Sequence, residues 1–196
     1  MTTPLAIRIT LWCWLLAALA AGRLFLLARI PPPAVQGILA GLTALLILLY
    51  RAWPAWRAWA DGLDLRAVVA LHLTRFVGIY FLVLYQHGRL PYAFAVPGGL
   101  GDIGVAVLAA VVILVPLAPA ARLGAISIWN IVGLLDLLLV VLTAGRLALA
   151  DPQAMRELTI LPLSLLPTFL VPLLLASHLL VYTRVRRARL ESDEAS

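Results

Sequence analysis

Six runs of about 20 mostly apolar residues follow one another along this chain, and a run of that length is what an α-helix needs to cross the hydrocarbon of a bilayer. They lie roughly at 7–29, 34–52, 66–90, 102–120, 123–148 and 160–183. Little polar sequence is left between them. Of the 196 residues, 64% are hydrophobic and 12% charged, and the mean hydropathy is +1.05, well outside the range of a water-soluble domain. The expected fold is therefore an all-α integral membrane protein. It is a single polytopic domain over residues 1–190, a bundle of about six transmembrane helices, with residues 191–196 as a short polar cytoplasmic tail.

The first run continues past Arg23 to Ile30, which is too long for the core of a signal peptide, and it lacks a small-residue cleavage site; it is expected to stay as a first helix. Pro31, Pro32 and Pro33 are expected to stop it, because proline lacks an amide donor and disfavours helical geometry in the residue before it. Between the second and third runs, Trp53, Trp56 and Trp59 recur every third residue among arginines, the pattern of a segment lying along the headgroups. Gly37 and Gly41 form a GxxxG pair that would permit close helix contact. Arginines near the span ends number nine on one side and five on the other, which puts both termini in the cytoplasm of a cell (inner) membrane.

Several chemistries are excluded at once. All fifteen basic residues are arginine, so no lysine can form a Schiff base. Cys13 is the single cysteine, which removes internal disulfides and cysteine-built metal centres. No GxxxxGK[ST] or GxGxxG pattern is present, so nucleotide binding is not expected. The arginines are scattered at helix ends, where anionic lipid rather than nucleic acid is the expected partner. Ser164, Thr168, Ser177 and the histidines form no recognisable nucleophile–base–acid arrangement, which points away from an enzyme.

The informative residues are polar groups inside apolar runs, since an ionisable side chain at mid-bilayer costs about 2.5–3.5 kcal/mol on insertion scales. Run three holds His72 and Arg75, run five Asn130 and Asp136, and run six His178. With a rise of ~1.5 Å per residue, Arg75 falls roughly 5 Å to the cytoplasmic side of Asp136, within reach of an ion pair. His72, His178 and Asn130 share a level roughly 9–11 Å to that side. These five residues are the expected solute or ion path. A second group, His87, Arg89 and Asp102, flanks the glycine-rich stretch Gly98, Gly99, Gly101 and Gly104; it is expected to line an extracytoplasmic vestibule, with Asp102 capping the fourth helix. Pro162, Pro167 and Pro172 mark the sixth run as a hinge or pore-lining element.

Three functions are compatible with this pattern. The first is movement of protons or a small solute, with a homo-oligomer completing the path. The second is electron transfer through haem b, with His72 and His178 as axial ligands from two helices. The third is a non-catalytic accessory subunit of a larger membrane complex, in which the polar cluster only fixes helix register.

Overall fold

A computed structural model describes residues 3–194, without side-chain detail at 192–194. Its helices are α1 (Leu5–Arg23), α2 (Pro32–Ala52), α3 (Pro54–Asp61), α4 (Leu65–Leu71), α5 (Gly78–Gln86), α6 (Tyr92–Leu114), α7 (Pro119–Ala150) and α8 (Val171–Glu194). Among the described residues there is no strand, and six helical rods are long and apolar enough to cross a membrane. Two of these rods are composite, the third and the sixth. A 3₁₀ segment, His72–Val77, joins α4 to α5 without breaking the line.

The boundaries depart from the sequence expectation in four places, each with a local cause. The first helix ends at Arg23, because Phe25 takes a left-handed φ of 54°, and a 3₁₀ turn at Leu27–Arg29 follows. The prolines then start α2 rather than merely stopping its predecessor: Pro32 occupies the first turn, where a missing amide costs nothing. The fourth helix begins at Tyr92, after Pro91, and not at residue 102, so the glycine-rich stretch is helical throughout. A loop there would leave buried amides and carbonyls unpaired, and the helix satisfies them internally. The sixth rod begins later than residue 160. Leu161–Ser164 form turns, Leu166–Leu170 a π-helical turn, and regular α-helix starts at Val171 and runs to Glu194. The segment expected as a tail is thus helical as far as it is described; Ala195 and Ser196 lie outside the described residues.

The freed backbone of the sixth rod is held from a distance. Pro172 supplies no amide to the carbonyl of Thr168, and the indole Nε1 of Trp14 on α1 donates to that carbonyl at 2.8 Å instead. The Thr168 hydroxyl donates to the Ser164 carbonyl at 2.7 Å.

The expected tryptophan segment is α3. Its spacing of three puts the rings in a ladder, Trp53 to Trp56 at 6.2 Å and Trp56 to Trp59 at 5.4 Å, with Trp56 buried. Tyr50 donates to Asp61 at 2.8 Å, and Arg187 of α8 reaches the same carboxylate at 3.4 Å, so α3 is tied to α2 and α8. At the other end of the bundle Arg89 makes two hydrogen bonds to Glu157, at 2.7 and 3.1 Å. The GxxxG pair of α2 faces open space within the chain, with nothing near either missing Cβ.

The centre of the bundle is where α6 meets the composite third rod and α7. A Cβ on Gly78 would collide with the Gly99 carbonyl, and one on Gly101 with the Asp136 carboxylate. Glycine at these positions lets three backbones approach closely enough for side chains to meet across them.

A buried arginine with two carboxylates

The 3₁₀ segment explains how the third rod presents its polar groups. Residues three apart eclipse one another in a 3₁₀ helix, so His72 and Arg75 stand one above the other on one face, 0% and 1% exposed. Arg75 spends its guanidinium in three directions. Nε donates to Asp102 Oδ1 at 2.6 Å, Nη1 to the Gly133 carbonyl at 2.9 Å, and Nη2 to Asp136 Oδ2. The planar fork of arginine suits this arrangement, whereas a lysine ammonium is a point donor.

Asp102 is the correction to the sequence reading. It does not cap a helix or line a vestibule with His87 and Arg89; it sits about 15 Å along α6 from Tyr92, buried against Arg75. His87 is exposed and bonds to its own helix at the Val83 carbonyl, 2.7 Å away. Arg89 is exposed and paired with Glu157. The signal for Asp102 was present as periodicity. Phe94, Gly98, Asp102, Val105 and Ala109 recur at helical spacing, and all are buried.

On the side of Arg75 toward the α3 end lies a second polar layer. His178 is bonded to Asn130 twice, through Nδ1 to Oδ1 at 2.8 Å and through its carbonyl to Nδ2 at 3.2 Å. Because the amide oxygen can only accept, Nδ1 carries the proton. Ser177 donates to the Leu174 carbonyl at 2.8 Å and so accepts from His72 Nε2 at 2.9 Å. The remaining ring nitrogens, His72 Nδ1 and His178 Nε2, are buried lone pairs without a hydrogen-bond partner. The two rings lie 4.4 Å apart, and Trp129 stands edge-on to His72 at 4.7 Å while donating to the Val105 carbonyl.

These histidines do not fit a haem. A macrocycle ligated by both would have to lie between the rings, which are already in contact and closed off by Trp129. Gly133 leaves no slot either, since a Cβ there would already crowd the His178 ring.

A cavity of about 470 Å³ leads from the Arg89 end of the bundle to Arg75 and Asp102. Its rim carries Ala28, Pro152, Gln153 and Arg156, all exposed; its walls are mainly apolar side chains of α2, α7 and the π-helical turn. Thr74, Arg75 and Asp102 border its inner part. Asp136 does not border it and sits behind Arg75, its side chain 17% exposed beside Gly101. His72, Trp129 and His178 are at most 2% exposed and line neither this cavity nor the apolar one of about 420 Å³ beneath α3. The arrangement is a cavity that reaches an ion cluster, with a buried aromatic layer beyond it.

No curated protein and no solved structure matches the chain. One family model, described as a domain of unknown function (DUF8737), matches residues 32–186, from the first residue of α2 to within α8; α1 lies outside the match. With most of its length covered, the chain belongs to that family.

Proposed function

We propose that this chain is a multi-pass membrane protein that moves protons or a small solute, with Arg75, Asp102 and Asp136 as the group that binds and gates. Apolar side chains cover its outer faces, among them Leu5, Ile9, Trp12 and Leu16 on α1 and Leu135, Leu139 and Leu142 on α7, each at least 51% exposed. Surfaces of that extent need lipid or a partner against them. The arginine bias puts the α3 end in the cytoplasm and the cavity mouth outside.

The observation that carries the reading is the position of the ion cluster: a cavity with exposed Ala28, Gln153 and Arg156 at its rim reaches Arg75 and Asp102, with exposed Thr74 beside them. A cluster serving only helix register needs no access route, and one ion pair would serve that purpose. The buried layer of His72, Asn130, Trp129 and His178 on the other side of the cluster supports a gated path over an open channel. The kinked sixth rod, with Pro167 and Leu170 in the cavity wall, is the element that would move.

The test is flux in proteoliposomes. Asp136→Asn and Asp102→Asn are expected to abolish uptake while the protein stays folded by circular dichroism and gel filtration. Flux equal to the parent chain in both variants would remove the cluster from the path.

A further inference from the structure

Resting on the transport reading, we propose that the solute taken by the cavity is a monovalent apolar organic cation. The argument begins with charge. Arg75 faces two carboxylates, so with all three ionised the cluster carries one negative charge more than it neutralises. The other titratable groups packed against it are His72 and His178, whose hydrogen bonds describe neutral rings. Arg156 stands at the rim, exposed to solvent, where its charge is screened. A buried excess charge is costly until a counter-charge reaches it, and the cavity is the route by which one can.

The walls then select the kind of cation. Inorganic cations need several oxygen ligands, and the inner cavity offers the Thr74 hydroxyl and the Asp102 carboxylate among apolar neighbours. Among the described residues no cluster of three metal-ligating side chains occurs. Leu39, Val77, Leu137 and Val140 instead offer an apolar jacket. Phe81 and Phe94, with ring centroids 5.1 Å apart, also border the cavity and favour a cation over an anion at their faces. An anion is disfavoured twice, since three of the five N–H donors of Arg75 already have acceptors and two carboxylates face the one guanidinium.

The test uses two probes of nearly the same shape and opposite charge, tetraphenylphosphonium and tetraphenylborate, in equilibrium dialysis against the detergent-purified chain with empty micelles subtracted. Tetraphenylphosphonium is expected to bind and tetraphenylborate not to. Asp102→Asn should weaken the cation at least about tenfold, the loss of one charge in a low-dielectric site. Val141→Phe narrows the cavity from its wall and should also weaken binding, with gel filtration and circular dichroism of both variants separating loss of the site from misfolding. Equal or tighter binding of tetraphenylborate, or no binding of either probe by folded protein, overturns the proposal. The two readings fail separately. Proton flux without phosphonium binding sinks the cation and keeps transport; phosphonium binding without uptake of any probe or proton sinks transport and keeps the site.

Discussion

Arg75 and Asp102 meet at 2.6 Å between the 3₁₀ segment of the third rod and the middle of α6, both side chains at most 6% exposed. Nothing in their sequence separation requires this contact. It exists because Gly78 and Gly99 let the two rods touch at the backbone.

Removing the arginine should therefore be more harmful than removing either acid. Arg75→Met leaves two carboxylates facing each other without a counter-charge, at an expected cost of about 3–5 kcal/mol. Asp102→Asn keeps a hydrogen-bond acceptor for Nε and removes the excess charge, so it should unfold near the parent temperature. Thermal unfolding in detergent checks both, and an Arg75→Met protein as stable as the parent would contradict the burial of the cluster.

Glycines separate into two classes by what a methyl group would meet. Gly78→Ala must push against the Gly99 carbonyl, and Gly101→Ala against a carboxylate fixed by Arg75; each is expected to lose about 1–3 kcal/mol. Gly41→Ala meets nothing and should be neutral or gain up to about 1 kcal/mol from helix propensity. Chemical unfolding of the three variants side by side decides it.

Spectroscopy should find no haem. The detergent-purified protein, expressed with ample haem and examined oxidised and dithionite-reduced, is expected to lack a Soret band. A band lost in both His72→Ala and His178→Ala would show that the rings can separate to admit a macrocycle.

Trp14→Phe keeps most of the ring and its edge contact with Phe169 at 4.8 Å but leaves the Thr168 carbonyl unpaired. The expected cost is about 1–3 kcal/mol, that of a polar group left unsatisfied. Hydrogen exchange around residues 165–175 should rise in this variant and stay unchanged in Trp12→Phe, whose ring is exposed.

Much of this architecture is legible in the sequence, since helices in an apolar chain are set by length and by proline. The six rods, a distinct tryptophan segment between the second and third, and the approach of Arg75 to Asp136 follow from run length, a spacing of three and depth along the rods. The expected place of Asp102 differs because glycine is read locally as a turn former, whereas four buried positions at helical spacing around it, Phe94, Gly98, Val105 and Ala109, require a helix. That Asp102 joins Asp136 as a second partner of Arg75 does not follow from depth, because depth says nothing of rotation about a helix axis. The π-helical turn is equally hidden. Three prolines announce a disturbance, but its form depends on Trp14, which lies 154 residues away from the carbonyl it binds.

That separation has a consequence for how the chain is made. Trp14 must wait for Thr168, His72 for Ser177 at a separation of 105, and Asn130 for His178. The sixth rod supplies the partner for polar groups on three rods made before it. Until it arrives those earlier rods carry an indole, a histidine and an asparagine with unmet hydrogen bonds, and its docking commits all three at once.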